Sequence, residues 1–190
     1  MGRIVVTEFV SLDGVIEAPG GGEDYRHGGW TFEIERGQEG DKFKFDELVE
    51  AEAQLLGRVT YEGFAAAWPE RDDEAGFAKK MNEMPKYVVS STLDRPEWQN
   101  TTVLSGDPVA AVAALRDEVG GVILVAGSVT LVQTLIENDL VDELRLMVFP
   151  VLLGEGKRLF PAGEAKKPLK LTESKTVGDG ISLLRFEPRQ

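Results

Sequence analysis

Val122-Ile-Leu-Val-Ala-Gly-Ser-Val-Thr-Leu-Val-Gln-Thr-Leu135 is the stretch whose reading decides the fold. Residues 122–125 are an unbroken apolar run, the pattern of a strand covered on both faces. Ala126-Gly127-Ser128 then turns the chain with small residues. A helix follows, with Leu131, Val132, Leu135 and Ile136 along one face. Ser128 is placed to cap it, its hydroxyl accepting from a first-turn amide. Free amides and the positive end of a helix dipole therefore meet at the carboxyl end of a central strand, which suits a phosphate. Alone, such a turn is more often a plain connection. It becomes a site only if other segments supply matching chemistry.

Working outward, the flanking units repeat the strand–turn–helix plan. Residues 3–10 form a first strand rich in Val, Ile, Thr and Phe, ended by Ser11-Leu12-Asp13-Gly14. Asp13 is either an Asx turn bonding backbone amides or a substrate-orienting carboxylate. Residues 18–29 are a glycine-rich loop without G-x-G-x-x-G spacing, a surface loop or a mobile flap. His27 in it is expected to be exposed, and Trp30 and Phe32 anchor the loop or stack on a planar ligand. Residues 41–53 read as a helix capped by Asp41, with Phe45, Leu48, Val49 and Glu52 at helical spacing. A short strand over 53–56 leads into Gly57-Arg58-Val59-Thr60 and a second helix. Arg58 is suited to a bidentate bond with phosphate, and Thr60 to capping, though both fit an ordinary exposed turn equally well.

Residues 72–84 read as a polar helix stopped by Pro85, and residues 86–90 as a strand ending in the hydroxyl cluster Ser90-Ser91-Thr92 beside Arg95. A strand over 101–104 precedes a helix with Asp107 at its cap and Pro108 in first position, its stripe being Val109, Val112, Leu115 and Val119. After the central unit, residues 142–149 alternate as a strand, with Leu144, Leu146 and Val148 on one face. Pro150-Val-Leu-Leu-Gly-Glu-Gly follows, with Gly154, Glu155 and Gly156 at its tip. Residues 169–177 and 181–187 make a hairpin across Gly178-Asp179-Gly180. Early alternation of strands and helices, then strands alone, predicts an α/β fold. Its sheet is mostly parallel, covered by helices on both faces, with an antiparallel hairpin at one edge.

Composition bounds the function. A length of 190 residues suits one domain over 1–190, and the absence of cysteine removes disulfide and thiolate chemistry. One histidine rules out a multi-histidine metal site within one chain. No apolar run is long enough to span a bilayer and no signal peptide is visible, so a cytoplasmic protein is expected. The formal charge of −12 argues against nucleic acid as a partner and requires any anionic cofactor to be met by local Arg, Lys or helix amides.

Taken in order, Ser11-Leu12-Asp13-Gly14, Gly57-Arg58-Val59-Thr60, Ser90-Ser91-Thr92, Ala126-Gly127-Ser128 and Pro150-Val-Leu-Leu-Gly-Glu-Gly resemble the dihydrofolate reductase-like family. The branch they look most like is the reductase domain at the C-terminus of the riboflavin-biosynthesis deaminase–reductase (RibD), standing alone, and the resemblance covers nearly the whole chain. It implies a three-layer αβα fold, a homodimer and an NADPH-dependent reductase acting on a small heterocycle such as a pterin or pyrimidine. A non-catalytic nucleotide- or pterin-binding module is the alternative. By the same resemblance Gly57, Arg58 and Thr60 contact adenosine-side phosphates, and Ser90 and Ser91 receive the adenine ribose and its 2′-phosphate. Ala126, Gly127, Ser128, Val129 and Thr130 form the pyrophosphate turn. Leu12, Asp13 and Gly14 lie on the nicotinamide and substrate side, and Pro150, Gly154, Glu155 and Gly156 form a substrate loop. Asp13 and Glu155 are the implied catalytic carboxylates. The chain departs in having Ala126 where the family often has a first of two glycines. Its first long helix offers Asp46, Glu47, Glu50 and Glu52 without marking which faces a substrate.

Overall fold

The computed structural model describes residues 1–22, 24–160, 162–163 and 165–189. The strands are β1 (Arg3–Ser11), β2 (Ala51–Gly57), β3 (Lys86–Val89), β4 (Thr101–Leu104), β5 (Val122–Ala126), β6 (Glu143–Phe149), β7 (Leu169–Val177) and β8 (Ile181–Pro188). The helices are α1 (Gly37–Glu50), α2 (Arg58–Ala67), α3 (Phe77–Glu83), α4 (Pro108–Glu118) and α5 (Val129–Glu137). All eight strands join one sheet in the order β4-β3-β2-β5-β1-β6-β8-β7. The pairs from β4 to β6 are parallel, and β8 returns antiparallel to β6 and β7. This is the mixed sheet with an antiparallel terminal hairpin that the order of sequence patterns predicts.

The alternation of side chains along the strands builds the layers. Ile4, Val6, Leu55, Ile123 and Val125 face one side and pack against Val112 and Leu115 of α4 and Leu131, Val132 and Leu135 of α5. Val5, Leu56, Val88 and Leu124 face the other side, against Leu48 of α1, Tyr61 of α2 and Met81 of α3. A further cluster joins Trp30 and Phe43 to Phe149, Val177, Ile181 and Leu183, so the hairpin is pinned to the sheet by aromatic rings. The unbroken apolar run of β5 is buried because helices cover both of its faces, as expected of a central parallel strand.

Local differences from the sequence reading have identifiable causes. Helix α1 starts at Gly37, ahead of Asp41, and its N-cap position is held by Arg36 without a side-chain cap. Asp41 is consumed instead by an ion pair with Arg36. With the start moved, the buried face becomes Gly40, Phe43, Glu47 and Leu48, while Val49 is exposed. Glu52 belongs to β2, which begins at Ala51. Helix α3 is shorter than the polar pattern over 72–84, because the Asp73 carboxylate accepts the amides of Phe77 and Ala78 at 2.8 and 2.6 Å and fixes the entry there. Strand β6 is buried on both faces, since Arg145, Met147 and Phe149 lie under cover opposite Leu144 and Leu146. Asp107 caps α4 through the Ala110 amide at 2.8 Å, with Pro108 following, as predicted.

Lys86 opens β3 fully buried. Its ammonium donates to the carbonyls of Met81, Asn82 and Met84 at 3.1, 2.8 and 2.9 Å and lies 4.2 Å from the centre of the Trp98 ring. These are the carbonyls that the end of α3 leaves without helical partners, so the lysine acts as an internal C-terminal cap.

Candidate functional site

A parallel sheet places the carboxyl ends of its strands on one edge. Along that edge the order runs Ser90 after β3, Gly57 at the end of β2, Gly127 after β5, Asp13 after β1 and Pro150 after β6. Five segments scattered through the sequence thus become nearest neighbours, spread over four strand intervals, or roughly 19 Å at the usual spacing of about 4.8 Å. The ends of β2 and β5 adjoin where the chain's crossover direction changes, the position at which open α/β sheets leave a crevice for a ligand.

The two turns on the β2–β5 side are braced together. The Ser128 hydroxyl accepts the Gly57 amide at 2.9 Å, and the Thr60 hydroxyl accepts the Ser128 amide at 2.8 Å. Gly127 and Ser128 both take left-handed backbone conformations, φ 60° and 59°. A Cβ on Gly127 would stand 3.1 Å from Thr60, so both backbone and space ask for glycine here. Ser128 and Thr60 therefore do not cap their helices as predicted, because each hydroxyl is spent on the other turn. In consequence the first amides of α5, from Val129 onward, have no side-chain cap and keep their donors and dipole for an anion.

Arg58 opens α2 and is held by Glu62 through two bonds of 2.8 and 2.9 Å to one guanidinium nitrogen. The Ser90 hydroxyl accepts the amides of Thr92 and Leu93 at 3.1 and 3.0 Å, closing a tight turn, with Ser91 exposed beside it. Between α2 and this segment lies an open cavity of about 490 Å³, lined by Tyr61, Glu62, Leu93, Arg95, Glu97 and Trp98 among others. Aromatic and aliphatic groups share this lining with one guanidinium, Arg95, and two carboxylates, Glu62 and Glu97.

On the β1–β6 side the two loops are zipped together. The amide of Leu12 donates to Val151, that of Ile16 to Lys157 and that of Leu159 to Gly14, and Val15 bridges Arg158. Asp13 is the knot. One carboxylate oxygen accepts the Ser11 hydroxyl at 2.6 Å and the Leu153 amide at 3.1 Å, and the other accepts the Gly154 amide at 2.8 Å. The Ser11 hydroxyl bond above all, followed by the Gly154 and Leu153 amides, holds the Asp13 carboxyl down at about 2. An ionised carboxylate with this many donors is a poor proton relay; it bonds backbone amides, those of the distant 153–154 segment and not of its own turn. Gly156, at φ 114°, would place a Cβ 2.7 Å from Val15, which accounts for the glycine. Glu155 stands at the exposed rim, ion-paired with Arg26 at 2.6 Å, while its carbonyl accepts the Tyr25 hydroxyl at 2.8 Å. Leu12 is exposed, and Gly14 has φ 89°. His27 is half-buried, not exposed as expected, and its ring nitrogen accepts from Arg26. Trp30 is a core anchor, edge-on to Phe149 at 5.3 Å, with its indole N–H on the Glu17 carbonyl. Phe32 anchors nothing, being 76% exposed.

Two buried carboxylates belong to the site's foundations and were not singled out by sequence. Glu47, 2% exposed, is the α1 acid that faces the sheet: one oxygen accepts the Thr7 hydroxyl at 2.9 Å and pairs with Lys44, and the other has no partner among the described residues. Asp46 instead pairs with Lys42, and Glu50 with Arg145. A helix register starting at 37 would have pointed to Glu47. Glu8, 4% exposed, lies in the middle of β1, and its position among Val, Thr and Phe was the signal available. Burial drives its carboxyl well above the usual range, against the opposing pull of Lys44.

Among the described residues no three His, Asp or Glu side chains are grouped to hold a metal, and no helix is long and apolar enough to cross a membrane. The family model of the RibD C-terminal domain matches residues 3–183. The uncharacterised protein YyaP of Bacillus subtilis (strain 168) is 31% identical over 183 residues, covering 94% of this chain and 91% of that one. A Shewanella sp. PV-4 protein assigned to riboflavin biosynthesis has the same fold with a TM-score of 0.76, at 22% identity and 99% coverage of both chains. RibD of Acinetobacter baumannii superimposes with a TM-score of 0.64 at 18% identity, over 100% of this chain and 58% of that longer one.

Proposed function

We infer a function from one premise: this chain belongs to the RibD C-terminal domain family. It is an NADPH-dependent reductase that passes hydride to a small heterocyclic substrate, a pterin, a pyrimidine or a relative of these. The observation that carries this is the brace between Gly57–Thr60 and Gly127–Ser128, which leaves the uncapped N-terminus of α5 at the centre of an edge lined by all five expected segments. The residues fit a dinucleotide. Gly127 keeps the turn clear of side chain, and the amides of Val129 and Thr130 are free for a pyrophosphate. Arg58 at the start of α2 and Ser90 and Ser91 after β3 stand on the side of the edge where an adenosine and its 2′-phosphate would lie, and Arg95 lines the neighbouring cavity.

Bound nicotinamide would supply the hydride, so the protein's share is distance, orientation and exclusion of water. Asp13 contributes by fixing the 150–156 loop against the end of β1, not by passing a proton. Glu155 offers an exposed acceptor on that loop, while buried Glu47 ties α1 to β1 through Thr7. Titration with NADPH, followed by tryptophan fluorescence, is the direct test. Saturable binding is expected, and Arg58→Ala should weaken it about tenfold, in line with loss of a charge-assisted bond of about 1.5–3 kcal/mol. No binding at millimolar cofactor would end this proposal. Binding without NADPH oxidation across a panel of pterins, flavin precursors and quinones would point to the non-catalytic module instead.

A homodimer belongs to the same proposal. The edge strand β7 is exposed along most of its length and carries the half-bare Leu169 and Leu171, a surface that a second chain would cover. Sedimentation should show one species of twice the chain mass, and a monomer at micromolar concentration would remove this part.

A further inference from the structure

The β1–β6 side of the edge has a charge pattern that cofactor binding does not explain. Residues 11–17, 25–27 and 150–158 carry three carboxylates, Asp13, Glu17 and Glu155, and three cations, Arg26, Lys157 and Arg158. Each cation already faces a carboxylate. Arg26 pairs with Glu155 at 2.6 Å and Lys157 with Glu17 at 3.0 Å, while Arg158 lies 3.9 Å from the Asp13 carboxylate and donates to the Asp13 carbonyl. Arg36 and Lys44, stacked over the Phe9 ring near the end of β1, pair with Asp41 and Glu47. The pairs differ in firmness. Asp13 and Glu17 also accept backbone amides, from residues 153, 154 and 157, and are fixed. Arg26–Glu155 is exposed on both sides and holds weakly, so it is the pair that a ligand's phosphate would open. Opening it would leave the Glu155 carboxylate facing that phosphate, on a chain whose overall charge already repels anions. An uncharged ring meets no such repulsion. Close by, Leu12 is 65% and Leu152 71% exposed, on two segments joined by the Leu12 amide to the Val151 carbonyl at 2.9 Å and by the bonds to Asp13. One bare leucine needs no explanation, but two on adjoining segments at the ends of neighbouring strands form an apolar lip.

We propose that this side of the edge selects an uncharged, unphosphorylated planar heterocycle, a free base or nucleoside and not a nucleotide: Leu12 and Leu152 grip the ring, and Glu155, held on Arg26, repels a phosphate. Glu155 is thus a specificity residue, acting by the charge it presents to the wrong ligand. This rests on the reductase function proposed above and narrows its substrate.

The test uses matched ligands that differ by one phosphate: riboflavin and flavin mononucleotide, neopterin and its monophosphate, uridine and uridine 5′-monophosphate. Binding is measured by equilibrium dialysis against the full chain saturated with NADP⁺, which holds the cofactor site without turnover. At least one unphosphorylated member should bind, and its phosphorylated partner about tenfold more weakly or worse. In Glu155→Gln that ratio should shrink to about threefold or less, because the released Arg26 then meets the phosphate unopposed. Leu152→Ser should weaken both members of a pair by the same factor, since the ring is common to both. A phosphorylated member that binds as tightly as its partner overturns the proposal, as does a ratio that Glu155→Gln leaves untouched or a Leu152→Ser variant with wild-type affinity. Failure of every unphosphorylated member to bind the cofactor-loaded chain overturns it too. All of these outcomes leave the cofactor assignment standing. Failure of NADP⁺ itself to bind removes the reductase function, and the substrate assigned here goes with it.

Discussion

Asp13 ties two loops together, a structural task separable from any chemistry at the site. Three donors converge on its two oxygens from residues 11, 153 and 154, so the loops after β1 and β6 share one knot. Asparagine has nearly the same shape but turns one acceptor into an N–H₂ donor that faces backbone amides. Asp13→Asn should therefore cost about 1–3 kcal/mol of stability and lower turnover while leaving NADPH affinity nearly unchanged. A pH signature accompanies it. The folded-state carboxyl sits at about 2 against an ordinary 3.8, so its contribution is fully present above that ordinary value and is lost as pH falls towards 2. Denaturant unfolding between pH 2 and pH 6 should show a shallower acid slope for Asp13→Asn than for wild type. A variant as acid-sensitive as wild type, or one that loses NADPH affinity first, would contradict the assigned role.

At the level of elements, the turns matter more than the strands they join. Apolar runs and alternation were enough to place all eight strands, because a strand's burial pattern is written in its own residues. Helix ends were harder. Asp41, Ser128 and Thr60 each had the right chemistry for a cap, but each found another partner: Asp41 the nearby Arg36, and Ser128 and Thr60 the distant Gly57 and Ser128 amides. Sequence shows which donors and acceptors exist and leaves open which long-range pair wins. For the same reason five site segments were legible as turns, while Glu47 and Glu8 were not, since their value depends on which face of α1 and β1 is covered. The α5 turn gives the sharpest test of this interlock. Gly127→Ala adds a methyl at φ 60° and 3.1 Å from Thr60. It should lower stability by about 1 kcal/mol from the backbone alone. If the turn is the pyrophosphate seat, NADPH affinity should drop at least tenfold, well beyond the stability effect. An alanine variant with unchanged affinity would place the phosphates elsewhere on the edge.

For the whole molecule, the governing quantity is charge. If a chain of formal charge −12 is to bind an anionic dinucleotide as proposed, a short-range attraction must be set against a long-range repulsion. In the proposed binding mode the attraction would come from the uncapped α5 amides, from Arg58 and from Arg95. The repulsion acts over the Debye length, about 30 Å at 10 mM salt and about 8 Å at 150 mM. Adding salt in that range therefore removes most of the repulsion felt by an approaching ligand but little of the attraction felt by a bound one. The association rate for NADPH, measured by stopped-flow fluorescence, should rise severalfold from 10 to 150 mM salt while the dissociation rate changes less. That is the opposite of a basic phosphate-binding surface, where salt weakens binding throughout. The local cations separate from the global field in one further arm: Arg58→Ala should speed dissociation at both salt concentrations and leave the salt dependence of association in place. An association rate that falls steadily with added salt would mean that the positive groups at the sheet edge dominate the approach, and that the acidic remainder of the surface faces away from the ligand's path.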